Sequence, residues 1–233
     1  MIISGIQKFT VLDYPEKIAC IVFTPGCNFR CGYCHNPEFV LPEEIKKIQH
    51  SFFGDTTFFS FLEERKEKLD GVVITGGEPT LQSGLIDFMA RIKENGFLVK
   101  LDTNGTNPDL LENAYDLGLL DYIAMDIKTD KEHYQKLVGL AGDPSIIEKS
   151  ISIIMSSNIP YEFRTTLVKE LHTPDIINNM ATMIAGSSQW YGQTFHPEHT
   201  LDVAFSDYHA FSLTEMEDIR NIFAGHVVKA FIR

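Results

Sequence analysis

Short apolar, β-branched runs alternate with longer stretches of helical period along the 233 residues, the pattern of βα units built around a parallel sheet. Strands are predicted at Lys17–Thr24, Gly71–Thr75, Leu98–Thr103, Tyr122–Asp126, Tyr161–Leu167 and Gln189–Phe195. Amphipathic helices fall between them. Thr56–Lys68 sets Phe58, Phe59, Phe61 and Leu62 at helical spacing, a stripe that reads as core, and Leu85–Asn95 ends before Gly96. Asn107-Pro108 reads as a cap followed by proline at the first helical position. Pro144–Ser157 and Asp175–Ala185 continue the alternation, and Ser212-Leu-Thr-Glu215 has the form of a capping box.

Six βα units are too few to close an eight-stranded barrel, which takes about 250 residues. The expected fold is therefore α/β, an open, partial parallel β/α barrel, with a flat doubly wound sheet as the alternative. No repeat, low-complexity tract or linker divides the chain, so one domain is expected over 1–233. The barrel would occupy about 1–195, and a loop and helix from about 196 to 233 would cover it.

The formal balance of 20 basic and 32 acidic residues gives −12, which argues against a nucleic-acid surface, since phosphate neutralisation needs a basic stripe. No apolar run approaches the roughly 18 residues of a membrane span. The start MIISGIQKFTVLDYPEK lacks the parts of a secretory signal, so a cytoplasmic location is expected.

Ligands of parallel β/α folds bind at the C-terminal ends of strands, and the unusual segments fall there. TPGCNFRCGYCHNP follows the first predicted strand, GGEP the second and DTNG the third, while DIK marks the end of the fourth. Cys27, Cys31 and Cys34 have the spacing C-x3-C-x2-C. Three thiolates from one tight loop suit three irons of a four-iron, four-sulfur cluster and leave the fourth iron open. The alternative from spacing alone is a structural zinc completed by His35 or Cys20. Cys20 lies in an apolar strand and reads as a small buried residue. His172, His196, His199 and His209 show no ligand spacing, and KEHYQK and EERKEK read as solvated helix faces.

The C-x3-C-x2-C loop with Tyr33 before its last cysteine, followed by Gly76-Gly77-Glu78-Pro79, resembles the radical S-adenosylmethionine superfamily. GIQKFTVLDYPEKIACIVFTPGCNFRCGYCHNPEF, GVVITGGEPTLQ, KLDTNG, DYIAMDIK and FRTT further resemble the activating proteins of anaerobic ribonucleoside-triphosphate reductase in their longer variant. Pyruvate formate-lyase activating enzymes share much of this pattern. The resemblance covers about residues 3–168 and implies an oxidoreductase. In such enzymes the amino and carboxylate groups of S-adenosylmethionine chelate the open iron, and reductive cleavage of the bound cofactor gives a 5′-deoxyadenosyl radical that abstracts the α-hydrogen of a glycine in a large partner enzyme.

The resemblance also implies roles. Cys27, Cys31 and Cys34 would hold the cluster. Tyr33, Gly76, Gly77, Glu78, Pro79, Asp102, Thr103, Asn104, Asp126, Lys128 and Arg164 would bind the cofactor. Asp102 and Asp126 would hold a monovalent cation, although Asp102-Thr-Asn-Gly105 also reads as a plain turn. Asp13 and His35 would meet the partner, and flavodoxin or ferredoxin would donate the electron. Glu16 departs from the pattern, standing where glycine is usual. A radical enzyme acting on a small molecule, as in deazapurine biosynthesis, and a zinc-stapled binding protein are the other readings.

Overall fold

The computed structural model describes residues 1–198 and 200–233, so His199 lies outside the described residues. The chain divides into two compact units, one made of Met1–Asn28, Glu38–Thr103 and Asp109–Ile123, the other of Phe29–Pro37, Asn104–Pro108 and Ala124–Arg233.

The first unit holds strands β1 (Ile2–Ile3), β2 (Gly5–Thr10), β3 (Ala19–Thr24), β4 (Phe53–Gly54), β5 (Gly71–Gly76) and β6 (Leu98–Thr103). Its helices are α1 (Pro42–Ile48), α2 (Asp55–Glu63), α3 (Leu85–Glu94) and α4 (Pro108–Asp116), the last beginning on the final residue of a segment of the other unit. Strand order is β6-β5-β3-β2, with β3, β5 and β6 parallel and β2 antiparallel at the edge. Both β3 and β5 are apolar and buried along nearly their whole length, as parallel strands covered on two faces require. Helix α3 buries Leu85, Phe88, Met89 and Ile92 at helical spacing. Tyr14, Ala19, Ile21, Val73 and Tyr122 form one core cluster, and Phe58 of α2 packs on Phe88 with ring centroids 5.2 Å apart.

Strand β7 (Tyr122–Asp126) belongs to the second unit from Ala124 on. That unit continues with α5 (Tyr134–Val138), α6 (Pro144–Ser156), β8 (Tyr161–Leu167), α7 (Pro174–Met183), β9 (Gln189–Thr194), α8 (Leu213–Ala224) and β10 (Lys229–Ile232). Strands β8, β9 and β10 are parallel neighbours. The Ser212–Glu215 capping box is present at the start of α8, whose Phe223 stacks on Trp190 of β9. All six expected strands form, with their ends moved by at most a few residues.

Other elements differ from expectation. Helix α2 stops at Glu63 instead of Lys68, because the chain turns through Glu67 with a left-handed φ of 67°. The segment before the first expected strand forms β1 and β2, and the region beyond residue 195 adds β10 to its helix. KEHYQK is not wholly solvated, since Tyr134 is buried. Cys20 is buried in β3, as its apolar neighbours imply.

Glu16 explains its own departure from the pattern. Lys17 N–H donates to the Tyr14 carbonyl at 3.1 Å, Pro15 stands at the second turn position, and Glu16 at the third has φ of 61°. This is a type II turn, whose third position favours glycine. A left-handed side chain costs roughly 1–2 kcal/mol, and glycine's extra unfolded-state freedom returns roughly 0.5–1 kcal/mol of that. Glu16→Gly is expected to raise the unfolding free energy by about 0.5–1 kcal/mol in urea titration. Glu16→Ala keeps the left-handed strain and should give no such gain.

Candidate functional site

In the first unit, β3 and β5 run in register from Ala19 opposite Gly71 to Thr24 opposite Gly76, and their pairing continues past the strand ends. Gly77 N–H donates to the Thr24 carbonyl at 2.8 Å, Glu78 N–H to the Gly26 carbonyl at 2.7 Å, and Gly26 N–H to the Phe39 carbonyl at 2.7 Å. The segment leading into Cys27 is thus tied to the Gly76-Gly77-Glu78 turn. A Cβ on Gly77 would meet the Gly26 carbonyl oxygen at 2.0 Å, and Gly76 adopts φ of 118° against Thr24. Only glycine fits either position.

That turn presents Glu78, which is 1% exposed. Its Oε1 accepts from Thr80 N–H at 3.1 Å, Thr80 Oγ1 at 2.6 Å and Thr103 Oγ1 at 2.8 Å, so the carboxylate is oriented by donors from two strand ends. Pro79 is buried beside it. On β6, Lys100 and Asp102 lie two residues apart and share one face; the buried Lys100 ammonium pairs with Asp102 Oδ1. Asp13 is exposed and accepts from Thr10 Oγ1 at the end of β2.

In the second unit, Cys34 N–H donates to the Cys31 carbonyl at 3.0 Å, a turn that sets these two cysteines one above the other. Burial pushes the Cys31 thiol up to about 11. Phe29 packs edge-on to Tyr134, with centroids 6.4 Å apart, and Arg30 N–H donates to the Val138 carbonyl at 2.9 Å, anchoring the loop on α5. Between the cysteines, Gly32 accepts from Asp202 N–H at 3.0 Å. A Cβ there would strike the Phe205 ring at 2.1 Å. Tyr33 is buried beside Phe205, and its hydroxyl has no hydrogen-bond partner among the described residues. Burial also raises that hydroxyl well above the usual tyrosine range. His35 stacks on Phe195, and its Nε2 lies 3.0 Å from the His196 carbonyl oxygen.

Asp126 ends β7 between two cations, Arg164 Nε at 2.8 Å and Lys128 Nζ at 3.0 Å. Although burial opposes ionisation, these two charges hold its carboxyl well below the usual range, and Asp126 in return keeps Lys128 charged. Asn104 uses its side-chain oxygen to cap a turn, accepting from Thr106 N–H at 3.0 Å and Thr106 Oγ1 at 2.7 Å. The turn reading of Asp102-Thr-Asn-Gly105 therefore describes Asn104 well.

Two side chains that sequence reasoning did not select fix Lys128 through its backbone. Lys128 N–H donates to the Tyr134 hydroxyl at 3.2 Å, and the Lys128 carbonyl lies 3.0 Å from His172 Nε2. Val168 N–H donates to His172 Nδ1 at 3.0 Å. Nδ1 also lies 3.1 Å from the Val168 carbonyl oxygen, but the Lys128 carbonyl can only accept, so in the neutral ring Nε2 carries the proton and Nδ1 accepts from Val168 N–H. Only the Pro174 that follows His172-Thr173 hinted at a helix start there, and nothing in the sequence linked His172 to Lys128.

His172 is buried and neutral, its pKa held below 6.5 chiefly by desolvation. The unfolded chain therefore binds a proton that the folded chain refuses. Its contribution to stability is complete above about pH 6.5 and declines as pH falls through that value toward the lower folded pKa. Urea titrations at pH 8 and about 5.5 should show His172→Asn less stable at the higher pH but with a flatter loss on acidification than the unsubstituted chain. Parallel profiles would contradict a neutral His172.

A sequence profile of the radical SAM superfamily matches residues 21–178. A protein of Methanocaldococcus jannaschii named for glycyl-radical enzyme activation is 32% identical over 237 residues, covering 100% of this chain and 95% of its own. A pyruvate formate-lyase-activating enzyme of Clostridium pasteurianum is 31% identical over 148 residues, 59% of this chain and 57% of that one. Among solved structures, SuiB of Streptococcus suis bound to S-adenosylmethionine superposes with a TM-score of 0.63 at 14% identity, covering 91% of this chain and 51% of that one. Coproporphyrinogen III oxidase of Escherichia coli gives 0.55 at 15% identity, covering 90% and 52%. At these identities the structures speak for the fold alone, an α/β fold of mostly parallel strands of the partial-barrel kind. Among the described residues no helix is long and apolar enough to cross a membrane.

Proposed function

Because the chain belongs to the radical SAM superfamily, we propose that it is an activase that generates a glycyl radical on a large partner enzyme, and that this partner is anaerobic ribonucleoside-triphosphate reductase. The observation that carries the reading is the C-x3-C-x2-C loop that follows β3, with the Gly76-Gly77-Glu78 turn bonded to its start. The match across the whole chain to a relative named for glycyl-radical activation supports the activase class. The LDYPEK, KLDTNG and DYIAMDIK segments support the reductase as partner.

The residues fit the two groups that this family implies, a four-iron cluster and S-adenosylmethionine. Cys31 and Cys34 are brought into one turn by the Cys34 N–H bond to the Cys31 carbonyl, and thiol sulfur is the soft donor that iron–sulfur clusters take. Tyr33 presents a buried hydroxyl with no partner among the described residues, the kind of group a bound molecule completes. When bound, the cluster and S-adenosylmethionine supply the electron and the 5′-deoxyadenosyl radical that removes the glycine α-hydrogen.

In this reading Cys27, Cys31 and Cys34 hold three irons. The Gly76-Gly77-Glu78-Pro79 turn receives the amine of the methionine moiety, its carboxylate held ready by Thr80 and Thr103. Tyr33, Asp102, Thr103, Asn104, Asp126, Lys128 and Arg164 shape the rest of the cofactor site. Arg164 and Lys128 keep Asp126 ionised, so its charge is fixed before a ligand arrives. Asp13 and His35 face the partner, and flavodoxin or ferredoxin delivers the electron.

The chain purified without oxygen should hold iron and sulfide at about four each. Once reduced, it should convert S-adenosylmethionine to 5′-deoxyadenosine, and Cys31→Ala should abolish that product. Stoichiometric zinc that survives reconstitution, with no 5′-deoxyadenosine, would support a zinc-stapled protein and overturn the activase.

A further inference from the structure

We infer that the Lys100 ammonium serves at Asp102 as a built-in monovalent cation, so that this carboxylate needs no sodium or potassium. The inference rests on the cofactor site proposed above and concerns the Asp102 half of the cation site that the resemblance assigns to Asp102 and Asp126. The donor set does not fit such an ion. Lys100 is 1% exposed and stands two residues before Asp102 on β6, which puts both side chains on one face of the strand. Its ammonium pairs with Asp102 Oδ1, and Nζ lies 5.9 Å from the centre of the Tyr122 ring. A buried ammonium is tolerated only when its charge is matched. Here a carboxylate and an aromatic face supply the match.

A metal cation brought to the same carboxylate would stand within a few ångströms of the ammonium on Oδ1, and like charges this close in a buried strand repel strongly. The two cations are therefore alternatives at Asp102. A tethered ammonium also differs from a diffusing ion in kind. Its local concentration does not depend on the salt around the protein, so Asp102 is neutralised and oriented under every ionic condition. Lysine suits this task better than arginine, because its charge is a compact point on a flexible stem.

The test compares the full, cluster-loaded chain in choline, sodium and potassium chloride at equal ionic strength. Thermal melting reads cation binding directly, since an ion that binds only the folded state raises the midpoint. S-adenosylmethionine titration reads the ligand. For the unsubstituted chain the three midpoints should agree within about 1 °C, and the three affinities within about twofold.

Lys100→Met, which keeps the stem and removes the charge, should acquire a cation requirement. Its affinity in choline should fall about tenfold and recover in sodium or potassium, with the midpoint rising in step. A purely structural lysine would lose stability on substitution without creating any preference among cations. Specific stabilisation of the unsubstituted chain by sodium or potassium would overturn the inference, as would a folded Lys100→Met chain indifferent to the cation. If Lys100→Met does not fold, the melts of the unsubstituted chain decide alone. Absence of S-adenosylmethionine binding in every salt would contradict the activase reading, while the melts would still settle the cation.

Discussion

Satisfaction of buried carboxylates at strand ends, by charge or by hydrogen bonds, is the constraint on which the proposed site depends. Parallel strands bury their sides and offer their C-terminal ends for chemistry, so a carboxylate placed there is partly cut off from water. It must be paired or hydrogen-bonded to remain ionised. The chain meets this need three times in three ways. Glu78 after β5 is held by threonine hydroxyls and a backbone N–H, Asp102 on β6 by a lysine from its own strand, and Asp126 on β7 by a lysine and an arginine. Each arrangement fixes its carboxylate through the protein's own donors, the preorganisation that the proposed cofactor role would use.

The same logic reaches outward to side chains that touch no ligand. Lys128 can serve Asp126 only if its backbone stays in place, and the neutral His172 and the Tyr134 hydroxyl hold the two peptide groups of that residue. The part of the loop that carries Cys31 and Cys34 is anchored by packing in a similar way. Phe29 and Arg30 anchor it on α5, and Asp202 and Phe205 press on Gly32. The absence of a side chain at Gly32 is what admits that covering segment. Positional control thus comes from ordinary packing and backbone hydrogen bonds.

Much of this was legible in the sequence because it is local. Six strands follow from β-branched runs, the α8 start from Ser212 and Glu215, and the cysteine loop and the Gly76-Gly77 turn from spacing. Glu16 was already marked by a departure from pattern, and its left-handed φ supplies the reason. Partnerships between distant positions were not legible. His172 reaches Lys128 across 44 residues, and Phe205 meets Gly32 through a covering segment with no periodic pattern. Lys100 was hidden for another reason: a lysine in an apolar run reads as a strand residue until its ammonium is seen on Asp102. Tyr134 sits in a charged run whose composition conceals one buried ring.

The central claim is that the radical chemistry of this chain is spent on a glycine of another protein. Its most direct test is electron paramagnetic resonance of the reduced, cluster-loaded chain mixed without oxygen with S-adenosylmethionine and anaerobic ribonucleoside-triphosphate reductase, and separately with pyruvate formate-lyase. A glycine-centred radical doublet on the reductase, formed in step with 5′-deoxyadenosine, is the predicted result. 5′-Deoxyadenosine released with no radical on the reductase would contradict it, and a doublet on pyruvate formate-lyase instead would move the partner while keeping the activase.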